Sequence, residues 1–526
     1  MVNVRKRSLW VVAVAAASSL LLSACASGGN SNAGTSQQPT VTAVRTSLTT
    51  DPTTFNAAKA NAKDDYQVAR YLFDTVLRLD DNGSFVGGLA TKWEATADQA
   101  VLTIRSDAKC SDGAAINAKV VADSLNYFAD PATKNNFAKL VFGPQRPTIT
   151  ADNAAATVTI KLAQPWSEVL RGLTLAQTGI ICPAGLADLD GLAKGSVAGA
   201  FSGPYTLTTA QHGVKYEMTL RSDYQAWPKF STTLEGTPPK TISFTPGVNK
   251  TTVANQLLTG AFDVAEIAPA DLARVKSDSR FEVQSVPFAG IWLLFNQRPG
   301  SPFTDPALRK AVAQAVTQAG FNSAAYAGQG IVYNTIVAPN VPCALQTNAH
   351  LTAFDLEAAK KVLAGKTFKM VGTTSIGPNG AGNTYVQEAL RAAGATVNLN
   401  LVDNGTWATQ TQTQPETWDL TVQGDANFVG SVAASLTRIA GTPTEKGGRN
   451  IGGAANESVM ADIAAAQASA DQTQRCAAFE RAQITILGQN DIVPFVAEPQ
   501  IMVTRKGFAV STKAGIFDYS TTRIKG

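Results

Sequence analysis

The sequence predicts an α/β chain folded into two or more lobes, and three observations carry that expectation. Its 526 residues exceed what one hydrophobic core usually organises. Residues 287–320 read as a buried strand feeding an amphipathic helix. Residues 368–402 repeat the pattern as strand, glycine-rich loop, helix and strand, a βαβ unit.

In the first of these stretches, Ile291 to Phe295 is an unbroken apolar run of strand length, as in a strand covered on both faces. Asn296 ends it, and Arg298-Pro299-Gly300-Ser301-Pro302 reads as a connecting loop. The following helix has Asp305 as N-cap and Pro306 at its first position. Leu308, Val312, Ala315, Val316 and Ala319 form its apolar face. Arg309, Lys310, Gln314 and Gln318 form the polar face, with Gly320 as the expected stop.

Only 16% of residues are charged and 7% aromatic, with abundant Ala, Thr, Gly and Gln, which is a globular composition. The net charge is +4, and Arg5, Lys6 and Arg7 supply three of those positives. No basic run suited to gripping nucleic acid remains. Two histidines and five cysteines, without Cys-x-x-Cys or His-x-x-x-His spacing, give no metal-binding cluster, and no cofactor is expected.

The amino terminus reads as an address. A basic segment precedes the apolar stretch Leu9–Leu22, which has signal-peptide length and is too short to span a membrane. It ends in Leu22-Ser23-Ala24-Cys25, small residues before a cysteine, matching the bacterial lipobox. The expectation is a leader over 1–24, lipidation at Cys25 and a flexible Gly/Ser/Asn/Gln-rich tether over 25–40.

Along the chain, Val41–Leu48 reads as a strand and Asp64–Leu77 as a helix. Arg78-Leu79-Asp80-Asp81-Asn82-Gly83 carries an Asn-Gly hairpin signal. Val101–Arg105 is a strand, and a helix follows over Val120–Phe128. Farther on, Asp355 caps a helix through Leu363 with Gly365 as its stop. Phe368–Val371, Thr384–Ala393 and Thr396–Val402 are strand, helix and strand. Trp418–Val422 is a further strand and Gln472–Leu487 a helix. The loop Gly377–Gly382 matches neither Gly-x-Gly-x-x-Gly nor a P-loop, so phosphate cradling is not expected. Asp80 to Gly83 lacks the distant glutamate of a calcium loop. Asp263 and Glu266 have no separated acid partner of the kind a glycosidase pair needs.

Several of these segments share wording as well as pattern. Leu72-Phe73-Asp74, Asp81-x-Gly83, Leu89-Ala90, Trp93-Glu94, Leu102-x-Ile104-Arg105 and Ser111-Asp112-Gly113 occur in order. Ser202-Gly203-Pro204-Tyr205 and Arg221-Ser222-Asp223-Tyr224 with Trp227 come next. Then come Phe295-Asn296, Pro302-Phe303-Thr304-Asp305 with Arg309 and Ala311, and Asp491-Ile492-Val493-Pro494-Phe495. Together they resemble the family 5 extracytoplasmic solute-binding proteins, which serve peptide-type ABC importers. Phe201 and Ser202 depart from the family's Gly-Thr before Gly-Pro-Tyr, and Ser222 stands for its usual Asn.

The resemblance implies a two-lobed periplasmic-binding-protein-like fold, type II, with mixed sheets flanked by helices and an extra subdomain in lobe I. Lobe I is expected over 41–285, with the subdomain at about 85–200, lobe II over 286–496, and a return to lobe I over 497–526. Crossings near Val286 and Ala497 would form the hinge. In peptide-binding relatives a strand end carries an aspartate that accepts from the ligand's α-ammonium, and Asp425 is the matching position. A loop or capping aspartate is the alternative there. Val422 and Gln423 stand where the family often has Trp. Asn427, Trp407, Trp292 and Asn296 are further candidates for contacting the solute. Four cysteines beyond Cys25 allow three connectivities. Cys110–Cys182 and Cys343–Cys476 are favoured because each pair falls within one expected lobe, with buried free thiols as the alternative.

The implied function is capture of a small solute, a peptide first among candidates, by a monomeric lipid-anchored receptor outside the cell membrane that delivers it to an ABC permease. Opines, oligosaccharides and metal chelates are alternative ligands. An exported hydrolase is disfavoured because no Gly-x-Ser-x-Gly, zinc motif or Cys/His pair occurs, and His212 and His350 sit in no catalytic motif. An adhesive surface lipoprotein would show repeats, and none is found.

Overall fold

A computed structural model of the protein describes residues 41–135 and 137–525. The leader, Cys25 and the tether lie outside the described residues. From Thr42 onward the chain forms one compact unit. No helix among the described residues is long and apolar enough to cross a membrane.

Two long antiparallel strands, Phe281–Phe295 and Ile492–Arg505, form a ribbon that runs from one half of the molecule into the other. Leu294 faces Ile492 at one end and Phe281 faces Arg505 at the other. Val264–Ile267 pairs with the Ile501–Thr504 end. Leu420–Asp425 pairs with the Gly290–Phe295 end, and beyond it lie Thr367–Thr373 and Thr396–Val402, parallel to each other. The short strand Ile331–Val332 completes this seven-stranded mixed sheet by pairing with Ala497 and Val496.

Two four-stranded sheets lie on the amino-terminal side. One runs in the order Ala43–Ser47, Thr241–Thr245, Lys215–Leu220, Tyr205–Gln211, with its first pair parallel. The other is fully antiparallel, in the order Ala90–Ala95, Gln99–Ile104, Thr157–Lys161, Thr148–Asp152, with the helix Ala118–Ala129 against it. Both face the apolar cluster that includes Leu72, Leu102, Val121, Tyr205 and Phe244. Two clusters around Phe321 and Leu436 fill the other half. The hairpin Phe508–Lys513 with Ile516–Ile524 returns to the amino-terminal side, where Phe508, Val510 and Phe517 pack with Val44 and Val264.

The cysteine pairs are Cys110–Cys182 and Cys343–Cys476, each bonded within one half.

Local physics moves several expected boundaries. The helix starting at Pro306 ends at Ala315, not at Gly320. Val316 turns extended, and the Thr317 hydroxyl accepts from Gly320 N to cap a second helix, Gln318–Tyr326. Gly320 is there for space: a Cβ would stand 2.6 Å from the Tyr385 ring. Arg309, expected on the polar face, is buried, donating to Phe303 O at 2.8 Å and lying 3.4 Å from Asp491. The helix expected through Leu77 ends at Leu72, and Leu77–Leu79 pairs with Phe85–Gly87 across the Asn82-Gly83 turn.

Candidate functional site

The ribbon is irregular where it passes between the halves. Register slips between Pro287 and Ala289, opposite Pro499 and Glu498. Proline offers no N–H to a ladder, so a bulge here interrupts pairing and redirects a side chain. Phe288 is that side chain. Beside it, Gly290 faces Asp425 across the sheet, and a Cβ on Gly290 would stand 2.3 Å from the Tyr333 hydroxyl.

A cavity of about 490 Å³ opens at this bulge. Its floor is Pro287–Gly290 and Ala497. Asp425–Gly430 and Ile336–Pro342 wall one side. Leu79, Asp81–Gly83, Arg171, Thr512 and Ala514–Ile516 wall the other. A second cavity of about 460 Å³ lies on the far side of the Asp425–Val429 segment, lined by Trp407, Gln423, Arg438 and Arg449 facing Tyr66 and Phe137. Phe428 separates the two. Its ring stands edge-on to Tyr66 at 4.7 Å and to Phe288 at 5.7 Å. The halves also meet where Ser167 N donates to Gln467 O at 3.1 Å and Asn340 Nδ2 donates to Ala514 O at 3.2 Å.

Asp425 is 3% exposed and lines both cavities. Its carboxylate already has a cation: Arg438 Nε lies 2.9 Å from Oδ1. The N–H is not aligned with that oxygen, so the contact is an ion pair rather than a directed hydrogen bond. Ser435 Oγ donates to Oδ2. Both partners come from the helix Val432–Ile439, where positions three apart share a face. Asp425, the position read from the sequence as matching an α-ammonium acceptor, thus has a cation supplied by the chain itself. Asn427 lines the same cavities, but its carboxamide is engaged. Nδ2 donates to Ser431 O at 2.7 Å and to Ser435 Oγ at 3.0 Å, which fixes the start of that helix.

The other expected contacts divide. Trp407 lines the second cavity, with Nε1 donating to Thr421 Oγ1 at 2.8 Å. Trp292 is fully buried in the cluster with Leu294 and Leu436 and lines neither cavity. Asn296 is likewise away from both; its Nδ2 donates to Pro415 O at 2.7 Å and Trp418 O at 3.0 Å, tying a loop to the strand end.

Residues not singled out from sequence supply the rest of the surface: Tyr66, Phe137, Phe288 and Phe428, with Arg171, Arg438 and Arg449. The family-like pattern stops short of them, and a lone arginine carries no motif. Burial, then the charge of Arg438, pulls the Arg449 guanidinium down to about 10, partly offset by Asp425.

The acidic pair 263/266 is neutralised separately. Asp263 lies 2.8 Å from Arg45 and 2.6 Å from Arg505. Glu266 contacts Lys63 and, at 2.6 Å, Lys250. Among the described residues no group of His, Cys, Asp and Glu is arranged to hold a metal ion.

The model of the bacterial extracellular solute-binding proteins, family 5 Middle, matches residues 84–446. The periplasmic murein peptide-binding protein MppA of Escherichia coli (strain K12) is 22% identical over 285 residues, 51% of this chain and 51% of MppA. The chain thus spans about half the length of that relative. The glutathione-binding protein GsiB of Salmonella typhimurium is 23% identical over 497 residues, 90% of this chain and 93% of GsiB. Among solved structures, a substrate binding protein from Microbacterium hydrocarbonoxydans complexed with 4-hydroxybenzoate hydrazide is 42% identical. It superposes with a TM-score of 0.81 over 92% of this chain and 100% of its own.

Proposed function

Because the chain belongs to family 5 of the bacterial extracellular solute-binding proteins, we propose that it is the capture component of an ABC importer. It holds a small solute between two lobes and presents the closed form to a membrane permease. The observation that carries this is the cavity of about 490 Å³ at the ribbon bulge, walled by residues from both halves of the chain. A solute seated there contacts both lobes only when they are closed, so binding shifts the population toward closure. The volume lies in the range of small-molecule sites.

We assign the lobes to 41–285 and 286–496 with a return over 497–526, hinged on the two ribbon strands. We further assign a leader over 1–24, a diacylated Cys25 and a tether over 25–40, which keep a monomeric receptor outside the cell membrane. Relatives are named for binding rather than turnover, and the reading includes no catalytic step.

Two ligand classes have support. MppA is named for murein peptide and GsiB for glutathione. The 42% identical protein is complexed with an aryl hydrazide. The occupation of Asp425 by Arg438 favours the second, because a ligand ammonium would have to compete with a resident guanidinium. We therefore place a small aromatic acyl compound ahead of a peptide.

The test is a thermal-shift panel of aryl acids, amides and hydrazides with di- and tripeptides, followed by small-angle scattering. A ligand at about a hundred times its dissociation constant adds roughly 2.7 kcal/mol of stability. The expected result is a shift with at least one aryl compound and a smaller radius of gyration in its presence. No shift across the panel, or release of a product, contradicts the proposal.

A further inference from the structure

Three carboxylates or cations stand on the wall of the ribbon-bulge cavity, and they are not equally committed. Asp81 lies 2.8 Å from Lys513 Nζ. Asp425 is paired with Arg438. Arg171 is the third, and its guanidinium makes neither a hydrogen bond nor an ion pair among the described residues.

Arg171 is also placed where the halves converge. A Cβ at Gly83 would begin 3.7 Å from its Nη2, and one at Gly430 would begin 3.4 Å from its Nη1. Both glycines have positive φ, +79° and +62°. The guanidinium thus sits between two turns, one from each side of the cleft, at glycines that present no side chain to it. Glu168, on the preceding helical turn, is the nearest carboxylate to influence it but stays outside ion-pair contact. Burial pushes the Glu168 carboxyl up, and Arg171, Ser431 and Arg475 pull it back down. Burial likewise lowers Arg171, with Glu168 partly offsetting. A partly desolvated cation with no carboxylate in direct contact retains part of its desolvation cost, which an incoming anion relieves. The guanidinium fork matches a carboxylate in two parallel hydrogen bonds. Beneath it the wall is apolar: Phe288, Ile336, Val337, Val341 and Val429.

We propose that Arg171 anchors a carboxylate on the bound solute, so that this receptor selects small organic monocarboxylates with an apolar, planar body over their neutral amides and hydrazides. The inference rests on the capture function proposed above and narrows its ligand class. It also makes Arg171 a closure sensor, since the anion it holds lies beside Gly430 of the opposite wall.

The test is calorimetric titration of the purified protein with 4-hydroxybenzoate, with 4-hydroxybenzamide as a neutral compound of nearly the same shape, and with 4-hydroxybenzoate hydrazide. The acid is expected to bind at least tenfold more tightly than the amide. Arg171→Gln is expected to bring acid and amide within threefold of each other. Arg171→Lys, which keeps the charge but not the fork, is expected to retain a reduced preference. Arg391→Gln, on the exposed face of the helix Ala381–Ala392 and outside both cavities, is expected to leave the preference intact. Equal affinity for acid and amide in the unmodified protein, or a full preference surviving Arg171→Gln, overturns the proposal. If only the neutral compounds bind, the carboxylate anchor is wrong and the capture function stands. If none of the three binds and no di- or tripeptide does, both fall.

Discussion

Arg438 Nε sits 2.9 Å from Asp425 Oδ1, so the cation beside this buried carboxylate belongs to the chain itself. Arg438→Gln leaves Asp425 hydrogen-bonded to Ser435 with no cation in direct contact and is expected to destabilise the protein by roughly 3 kcal/mol, the low end for a broken buried pair because the Arg438 side chain is 29% exposed. Asp425→Asn in the same background should recover most of that loss. Urea unfolding of the single and double variants checks it. By the same logic, N-acetylated and free peptides should shift the melting temperature equally.

Phe428 stands edge-on to Tyr66 across the cleft and to Phe288 on the ribbon. Each such aromatic pair contributes about 1 kcal/mol beyond area burial. Phe428→Ala is expected to weaken solute affinity about tenfold and to enlarge the solute-free protein in scattering. An unchanged radius and affinity would show that the halves close without it.

The contrast between Asp425 and Asp305 shows what the sequence made legible. Asp305 caps a helix through Ala307 N, two residues along the chain, and local chemistry alone predicts it. The βαβ unit, the hairpin at Gly83 and the helix capped by Asp355 are legible for the same reason. The partner of Asp425 lies on another element, and nothing near it in sequence announces Arg438. The ribbon was half legible. Ile291–Phe295 has the apolar run of a covered strand, but Phe281–Gly290 mixes exposed and proline positions and becomes strand only by pairing with Ile501–Glu498 and beyond. Trp292 and Asn296 show the converse. A large aromatic and a strand-end amide fit a binding wall by type, yet one fills a core and the other ties down a loop. Arg171 is distinguished only by what fails to surround it, which no local pattern encodes.

Acid should weaken the protein through Glu266. Burial pushes this carboxyl up, but Lys63 and Lys250 outweigh burial and hold it at about 2. Its folded value lies below the unfolded value of about 4.3, so its stabilising contribution is complete above that pH. It is lost as pH falls through about 4 toward 2, to a total of roughly 3 kcal/mol. Glu266→Gln should flatten this part of the stability profile, measured by denaturant unfolding between pH 6 and pH 2 (about the range over which the carboxyl titrates).

The two disulfides close loops of sequence separation 72 and 133. Removing either by a paired Cys→Ser exchange is expected to cost about 2–4 kcal/mol, read as a lower urea midpoint. Reductant should lower the unmodified protein's midpoint and leave that of a variant lacking both pairs unmoved.

If Cys25 carries lipid, Cys25→Ser should move the protein from the membrane fraction to the medium without changing its solute affinity. Retention at the membrane would point to another mode of attachment.

The central claim is that a solute is held at the ribbon bulge by both halves at once. It is tested most directly by a crystal structure of the protein grown with the tightest-binding compound of the aryl panel. The account predicts that compound in the cavity between Pro287–Gly290 and Asp425–Gly430, touching Arg171 from the opposite wall. A compound seated on one half alone, or an empty cavity at saturating concentration, would contradict it.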